Sequence, residues 1–349
     1  MKPKYISLKE SLIAQIRSNA FSLDEPILSE AELSIGYQVS RNTVRQALKE
    51  LENEGYLYRK QGKGTFIRRI TSLNSRKIAL LIYDSADMQH SVTMEMITGL
   101  SEVLEQNDFL LDILASQRTF QEENISQLAR NYAGFVVGSF RLDEFTLAEL
   151  GRLAVPCIFV KNYLPGRCDL SVRIDFSQAG FLAASHLIEC GCRSLALIYP
   201  GRQLPISADF FDGVCSAALG SGVRIKKEHI FATGSYVCNE VALAAEALAS
   251  DPGRPDGIVA ASDTTAGMLL DIFKQKGIRV PEQIMITGCN DTSGLAKMMN
   301  PPLTTVRLPM REAGRITAGK IISMIKGEKT KSVMLAPELV IRRSTKDRK

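Results

Sequence analysis

The sequence contains no tryptophan, three histidines and no uninterrupted apolar stretch of about 18 residues. The missing apolar stretch argues against a membrane-spanning helix. The opening residues MKPKYISLKESL lack the apolar core of a signal peptide, so the sequence predicts a cytoplasmic protein. No Ser-His-Asp arrangement and no pair of catalytic carboxylates can be assigned. We therefore expect a protein that is not an enzyme and needs no cofactor.

Cysteine is confined to the later part of the chain: all 7 cysteines follow residue 150. An odd number without a spaced framework is typical of reduced thiols in a reducing compartment. Cys190 and Cys192 form a CxC pair that could in principle bind a metal ion. The only histidine nearby is His186, so the sequence predicts no metal site.

Acidic residues are missing between Gly55 and Arg69, where basic residues are frequent. Residues 1–70 hold 12 Lys and Arg against 8 Asp and Glu, a net charge of +4, whereas the rest of the chain holds 31 against 30. The positive charge is therefore concentrated at the N-terminal end. Such a distribution favours a nucleic-acid partner for that end.

Residues 40–53 have the pattern of an amphipathic helix. Ser40 is a suitable N-cap and Gly55 a suitable stop. The apolar spacing predicts a buried stripe, and Arg41, Asn42 and Arg45 share the opposite face. Side chains of this kind in the first turns of a helix can bond to base edges and phosphates. The buried stripe is expected to consist of Val44, Ala47, Leu48 and Leu51.

The residues before Ser40 complete a helix-turn-helix. Ser29 and Glu32 have capping-box spacing for a short helix that ends near Gly36, and an earlier helix is expected from Ser7. The helix at Ser40 is the third in chain order. A basic hairpin follows it, with Gly62, Lys63 and Gly64 at its tip. Three helices and a hairpin predict a winged helix.

Two simpler interpretations of this region remain open. A helix with one charged face is usually just solvated, and GKG could be an ordinary hairpin turn. A phosphate-binding loop is not supported, because Leu57 stands where that motif needs its first glycine.

The segment from about Tyr5 to Ile67 resembles the winged helix of GntR-type regulators. LSEAEL, VSRNTVRQALKELENEGYL and GKGTFI match the family pattern, except that Ala31 occupies a position where the family often has arginine. The resemblance implies that Arg41, Thr43 and Arg45 contact operator DNA and that the hairpin tip reaches the minor groove. The full set of predicted DNA-binding residues is Ser29, Ser40, Arg41, Asn42, Thr43, Arg45, Gln61, Gly62, Lys63 and Gly64.

From about Lys77 onward, strand-like and helix-like segments alternate over about 260 residues. Apolar runs such as IALLIYD, GFVVGS, SLALIYP, DGIVAAS and QIMITGCND are typical of buried parallel strands. This alternation predicts parallel sheets with helices on both faces. Ligands of such sheets bind beyond the carboxyl ends of the strands. The polar residues that follow or close the predicted strands are Tyr83, Asp84, Ser139, Asn162, Ser262, Asp263, Asn290 and Asp291.

This second region resembles the effector domain of LacI/GalR-type regulators. The resemblance rests on VPCIFVKN, HLIECGCRSLALI, RPDGIVAASD, GIRVPEQIMITGCND, PPLTTVRLPMREAG and LAPELVIRRST. It implies a multidomain protein with an N-terminal winged helix (α+β) and a two-lobed α/β domain of the periplasmic-binding-protein-like type I. The whole chain is similar to hybrid, arabinose-repressor-like regulators. The implied domains are 1–70 (winged helix), 71–76 (linker) and 77–345, with lobe one at about 77–174 plus 306–333 and lobe two at about 175–305 plus the tail.

The predicted effector site departs from the family pattern. The family usually holds a sugar or purine through an arginine before a glycine in R-x-x-GF, and here Phe210 or Asp209 stands in its place. Phe210 and Tyr236 could stack on a sugar ring, but Phe210 could equally be a core residue. Asp263 and Asn290 could equally cap the helices that follow them. The predicted effector-binding residues are therefore Phe210 and Tyr236 together with the eight strand-end residues.

These features predict a sequence-specific transcriptional regulator. The leading hypothesis is a homodimeric repressor of carbohydrate-metabolism genes that leaves double-stranded operator DNA when a small polar effector, expected to be a sugar, closes the cleft. The alternatives are an activator, a regulator that needs its ligand as corepressor, and an effector that is not a sugar. A more distant alternative is a solute-binding protein, which would share the fold but carry a signal peptide in place of a winged helix. The sequence identifies neither the effector nor the operator.

Overall fold

The structure is a computed structural model. It describes residues 3–17, 26–53, 56–60, 63–67, 75–83, 88, 91–116, 128, 131–138, 150, 155–160, 170–236, 239–291 and 294–346. The strands of this part of the chain form one two-stranded sheet and two six-stranded sheets. The gap-free segment from residue 170 to residue 236 contains the passage from one large sheet to the other.

The N-terminal part is a winged helix, as the sequence predicts. Its three helices pack around one apolar cluster, in which Leu12, Leu33 and Leu51 are almost fully buried. The two strands pair in antiparallel fashion from Leu57 opposite Ile67 to Lys60 opposite Gly64. The elements are α1 (Lys4–Arg17), α2 (Glu30–Gly36), α3 (Arg41–Asn53), β1 (Leu57–Lys60) and β2 (Gly64–Ile67).

Local capping signals explain where two of these helices begin. The Ser29 hydroxyl accepts a hydrogen bond from the Glu32 backbone, and the Glu32 carboxylate accepts one from the Ser29 backbone N–H, so the predicted capping box is present. The prediction that α1 begins at Ser7 is wrong. The helix begins at Lys4, because the carbonyl of Pro3 accepts the hydrogen bonds of the first turn.

The first six-stranded sheet is entirely parallel and has the strand order β13-β7-β6-β5-β3-β4. Two helices, α4 (Ser91–Gln106) and α10 (Met310–Ile325), pack against each other, α10 also packs on β5, β6 and β7, and α4 also packs on β4. The strands are β3 (Lys77–Ile82), β4 (Leu110–Ala115), β5 (Gly134–Val137), β6 (Cys157–Val160), β7 (Ser171–Ile174) and β13 (Val333–Leu335).

The second sheet has the order β14-β12-β11-β10-β8-β9, and only its edge strand β14 is antiparallel. Its helices cover both faces, which bury two separate apolar clusters. The strands are β8 (Ser194–Tyr199), β9 (Arg224–Ala232), β10 (Gly257–Ala260), β11 (Met285–Asn290), β12 (Thr304–Arg307) and β14 (Glu338–Val340). The helices are α5 (Phe176–Glu189), α6 (Pro205–Gly220), α7 (Asn239–Ser250), α8 (Asp263–Gln275) and α9 (Leu295–Met298).

The chain passes between the two sheets three times. It leaves the first sheet at Asp175, whose N–H donates to the carbonyl of Leu335. It returns after Arg307, where β12 of the second sheet ends, and leaves again after Leu335. All of β12, including residues 306 and 307, therefore belongs to the second sheet.

Several strands did not stand out in the sequence, and β7 and β9 show why. β7 has only four residues and includes Arg173, so it lacks a continuous apolar run. β9 lies at the sheet edge and exposes charged side chains in its first half. Both are strands because a neighbouring strand offers backbone hydrogen bonds, which is a tertiary effect that a local pattern does not carry.

Helices α4 and α10 approach each other closely through glycines. An ideal Cβ at Gly314 would overlap the carbonyl oxygen of Met96, and one at Gly99 would overlap the backbone oxygen of Arg311. Arg311 and Arg315 also form an ion pair with Glu102 across this crossing. The α5–α6 crossing is built in the same way around Gly180 and Gly213.

We expect Gly314→Ala to destabilise the fold, because the added methyl group would collide with rigid backbone and force the two helices apart, at about 1–3 kcal/mol. The matched control lies in the same helix: Gly319 has no atom within 4 Å of an ideal Cβ. Gly319→Ala should instead stabilise the protein by about 0.5–1 kcal/mol. Urea unfolding would measure both, and an equal effect of the two substitutions would contradict the close crossing.

Candidate functional site

Helix α3 presents a basic polar surface. Its predicted stripe is buried, with Val44, Ala47 and Leu51 at 0% exposure, so the helix is fixed in rotation. Arg41 and Asn42 are exposed near its N-terminus, as is Arg45 one turn later. The helix therefore exposes two guanidinium groups and one amide, which are side-chain groups that can bond to base edges.

Ser40 and Thr43 organise the start of this helix. The Ser40 hydroxyl accepts the Thr43 N–H at 3.1 Å and lies 2.8 Å from the Thr43 hydroxyl. The predicted N-cap is confirmed. Part of the polar capacity of both residues is used within the helix.

Glu30, which sequence reasoning missed, pairs with two arginines of the winged helix. We call this winged helix, residues 4–67, the reader. One carboxylate oxygen accepts from Arg45 at 3.0 Å, and the other lies 3.6 Å from Arg59 on β1. Glu52 contacts the same Arg59 at 3.4 Å. The only sign of Glu30 in the sequence is its position directly after the N-cap Ser29. Glu30 thus links the first helical turns of the reader to the hairpin.

The hairpin carries its charge on an aromatic support. The rings of Tyr58 and Phe66 are stacked with centroids 5.7 Å apart, and the Lys60 ammonium lies 5.2 Å from the Phe66 centroid. Lys63 is exposed at the tip, and Gly64 has φ +111°, a conformation that favours glycine. The predicted DNA contacts Gln61 and Gly62 lie outside the described residues.

The second candidate site lies at the carboxyl ends of the strands. On the first sheet only Tyr83 of the predicted residues is described, and it is half-buried; Asp84, Ser139 and Asn162 lie outside the described residues. On the second sheet all six predicted residues are described. They do not share one role, because several of them are engaged with other parts of the protein.

Ser262 caps helix α8 and supports the neighbouring loop. Its buried hydroxyl accepts the Thr265 N–H at 3.0 Å, and the Thr265 hydroxyl donates to the carbonyl of Tyr236 at 2.7 Å. The side chain of Tyr236 is half-buried and packs against the main apolar cluster. The cap therefore positions Tyr236, a predicted stacking residue.

Asp263 and Asp291 form the centre of an internal network. Asp263 is 3% exposed and accepts from the Thr305 hydroxyl at 2.5 Å and from the Asp291 backbone at 2.7 Å. The Asp291 carboxylate accepts from Arg307 at 2.7 and 2.9 Å and from Arg342 at 2.6 Å. These bonds join α8, β11, β12 and the segment after β14, which leaves little of either carboxylate for an effector.

Asn290 and Phe210 differ in what they offer. Asn290 is half-buried, and its side-chain amide has no hydrogen-bond partner among the described residues; its φ is +126°. Phe210 is 2% exposed and packs in the core beside the α5–α6 crossing, where its carbonyl oxygen lies against Gly180. The packing of Phe210 favours the core interpretation over a contact with a ligand.

A cationic group that was absent from the predictions lies just beyond β8. Arg202 donates two hydrogen bonds to Asp212, at 2.7 and 3.3 Å, and its guanidinium carbon lies 4.7 Å from the ring centroid of Phe211. Phe211 in turn contacts Tyr199, with centroids 5.2 Å apart. Arg202 therefore supplies a guanidinium at a strand end, eight residues before the position where the family pattern has its arginine.

Comparisons with known proteins agree with both halves. Residues 4–67 match the model of bacterial regulatory proteins of the gntR family, and residues 184–345 match that of the periplasmic binding protein-like domain. The arabinose metabolism transcriptional repressor of Geobacillus stearothermophilus is 30% identical over 99% of this chain and 98% of that protein. This chain belongs to the GntR-type transcriptional repressors that carry a periplasmic-binding-protein-like domain.

Further similar proteins are also transcriptional regulators. The HTH-type transcriptional repressor CytR of Escherichia coli K12 is 26% identical over 88% of each chain. A solved transcriptional regulator, CelR in complex with cellobiose, has a TM-score of 0.68 and 22% identity, and covers 98% of this chain and 100% of that one. The predicted family resemblance and fold class are confirmed.

Two negative findings apply to the described part of the repressor. No group of three or more His, Cys, Asp or Glu side chains there could hold a metal ion. The thiols of Cys190 and Cys192 are buried. The described helices also include none that is long and apolar enough to cross a membrane.

Burial raises the pKa of Asp263 to about 7, with a smaller contribution from the Asp291 carboxylate; the bonds from Thr305 and the Asp291 N–H act in the opposite direction. The native state thus keeps its proton to a higher pH than the unfolded chain, whose carboxyl titrates near 3.8. The stabilisation from protonated Asp263 is complete below about pH 4 and is lost as the pH rises towards 7.

Comparison with Asp263→Asn would test this pH dependence. The free energy of unfolding of the wild type, relative to the variant, should fall by roughly 1.4 kcal/mol per pH unit between about pH 4 and 7 and level off above that. Asp271→Asn, on an exposed position of the same helix, controls for the loss of one negative charge. A difference between wild type and Asp263→Asn that does not change with pH would contradict the raised pKa.

Proposed function

We propose that the repressor is a homodimer that leaves a palindromic operator when a small sugar closes the cleft between its two sheets. The observation that carries the proposal is the exposed face of Arg41, Asn42 and Arg45 on the reader. The same chain continues into the domain of two six-stranded sheets from Lys77 onward, which we call the sensor. A ligand can shift the reader only through its different affinities for the open and the closed sensor.

A sugar effector is supported by the names of relatives. The Geobacillus relative is named for arabinose metabolism, and the structurally similar CelR is described in complex with cellobiose. A pentose is therefore the first effector to test. The predicted strand-end residues of this chain carry hydroxyl, amide and aromatic groups, which suit a neutral polyol.

A dimer is supported by the small size of the reader. One winged helix offers few base and phosphate contacts, so useful specificity needs two half-sites. The ligand-induced change would then alter the distance between the two readers. Sedimentation at micromolar concentration would test the dimer directly.

The proposed contacts with the sugar divide into two groups. Tyr83, Tyr236 and Asn290 offer polar atoms or ring faces near strand ends. Asp263 and Asp291 instead support the backbone next to Asn290, because the Asp291 N–H donates to the Asp263 carboxylate. Asp84, Ser139 and Asn162 remain predicted contacts of the same site. Arg202 takes the part of the family arginine that Phe210 replaces.

Arg202→Ala should weaken sugar binding at least about tenfold, because a guanidinium bond to a ligand is worth about 1.5–3 kcal/mol. Arg202→Lys keeps the charge but loses the stacked, bidentate geometry, so it should rescue binding only in part. Calorimetry with the sugar measures both. Arg279→Ala, an exposed arginine elsewhere on the second lobe, serves as the matched control. Sugar affinity equal to wild type in Arg202→Ala would remove Arg202 from the site.

The proposed function is tested by mobility shift of DNA from upstream of the chain's own gene. The full chain is added with and without arabinose, other pentoses, hexoses and nucleosides. Shifted DNA that arabinose or another sugar releases supports the proposal. A complete lack of DNA binding at low salt would exclude the regulator, and a sugar that tightens binding would replace release by corepression. Shifted DNA that responds only to a nucleoside would overturn the sugar effector.

A further inference from the structure

The loop between α10 and β13 carries a group of exposed positive charges. Residues 326–332 read KGEKTKS, and Lys326, Lys329 and Lys331 are all exposed. Glu328 is the single acid of the loop. None of these three lysines forms an ion pair with another described residue. Within the part of the chain that the structure describes, no acidic side chain neutralises these three lysines of one short loop.

The topology places this loop on one edge of the first sheet, the edge formed by the N-terminal ends of its strands. The chain also enters the sheet from the reader at this edge. All strands of this sheet are parallel, so their N-terminal ends share one edge. The loop leads into the N-terminal end of β13, and the linker leads into that of β3 at Lys77. In the order β13-β7-β6-β5-β3, four strand spacings separate them, about 19 Å.

The reader cannot lie far from this edge. Nine residues, 68–76, separate the last strand residue of the reader, Ile67, from Lys77. Even fully extended, this stretch spans at most about 35 Å. DNA held by the reader is therefore within reach of the side of the sensor that carries the lysines. The cleft lies at the opposite, carboxyl ends of the same strands.

The loop is held in position by hydrogen bonds. The Lys320 ammonium donates to the Thr330 hydroxyl at 3.1 Å and to the Lys331 carbonyl at 2.7 Å. The Ser332 hydroxyl accepts the Ser171 N–H at 3.1 Å. Because the backbone is already ordered, contact with a partner costs little further conformational entropy.

A purely structural explanation covers only one of the lysines. Lys326 is the C-cap of α10, where a positive charge stabilises the helix dipole. Lys329 and Lys331 lie three and five residues beyond that position, outside the range of the dipole. Because no described acidic residue pairs with the three lysines, a partner of high negative charge would best compensate their mutual repulsion.

We propose that Lys326, Lys329 and Lys331 form a second DNA-contacting surface, which binds the phosphate backbone of the operator duplex independently of sequence. This surface rests on the proposed function, because the reader must first bring the duplex to the sensor. Its contribution is electrostatic, adding affinity and salt dependence without changing which sequence the reader selects.

The test uses the full chain and a duplex of about 40 base pairs that contains the operator, with dissociation constants measured between about 50 and 200 mM salt. In the triple variant Lys326→Gln/Lys329→Gln/Lys331→Gln, the slope of log K against log salt should become shallower by about 0.9 for each lost phosphate contact. For one subunit this removes about 40-fold of the affinity change across that salt range. In the single variant Lys329→Gln, the slope should change by about a third as much as in the triple variant.

The matched control is Lys227→Gln/Lys274→Gln/Lys297→Gln, three exposed lysines on elements of the second sheet. Its slope should equal that of the wild type, as should the sugar affinity of both triple variants. A wild-type slope in the loop variant would overturn this surface while leaving the regulator intact. An equal loss in both triple variants would also overturn it, because a general charge effect would explain the result. Failure of the wild type to bind DNA would instead refute the proposed function.

Discussion

Replacement of both Arg41 and Arg45 by alanine should reduce operator affinity to the level of non-specific DNA. A bidentate contact between a side chain and a base is worth about 1–3 kcal/mol, and a dimer would lose four of these arginines. Operator affinity should therefore fall at least about a thousandfold. Titration of operator and unrelated DNA at equal salt concentration measures the effect.

The control for this prediction is Arg224→Ala/Arg279→Ala, which removes two exposed arginines from the sensing region. Its specific affinity should match the wild type. The stripe that anchors α3 is untouched in the test variant, so the unfolding midpoint should hardly change. Operator discrimination that survives the loss of Arg41 and Arg45 would show that another element reads the sequence.

Asp291→Ala should be among the most destabilising single substitutions of this protein, at about 3–5 kcal/mol. The side chains of Asp291 and Arg342 are only 3% and 10% exposed, and the aspartate is the anionic partner of both Arg307 and Arg342. Its removal would leave a nearly buried guanidinium without its counter-charge. Urea unfolding of the full chain measures the loss.

Glu338→Ala is the matched control, because Glu338 bonds to the same Arg307 at 3.2 Å but is 70% exposed. An exposed ion pair of this kind contributes at most about 1 kcal/mol. If both substitutions cost the same small amount, the network around Asp291 does not hold the second sheet together.

The features that were predictable from the sequence depend on short stretches of chain. Ser29 and Glu32 are three residues apart, and their reciprocal bonds need nothing beyond the helix they start. The stripe from Val44 to Leu51 repeats with the helical period, and the central strands are continuous apolar runs. In such cases the local chemistry and the tertiary environment favour the same structure.

The features that were missed depend on contacts between distant residues. Asp291 was predicted from its strand-end position alone, but its partner Arg342 is 51 residues away. Glu30 meets Arg45 only because α2 packs beside α3. Phe210 occupies the place of a family arginine, yet its environment is set by the approach of α5 at Gly180. A pattern of neighbours along the chain contains none of these pairings.

The antiparallel strand β14 has a consequence for the order in which the chain matures. It closes the edge of the second sheet, and Arg342 just after it supplies one of the two cations that hold Asp291. During synthesis, residues 4–67 can complete their own core long before residues 338–346 exist. A ribosome-bound chain would then carry a completed winged helix while its second sheet was still open at one edge, so the two halves of the protein are expected to fold one after the other.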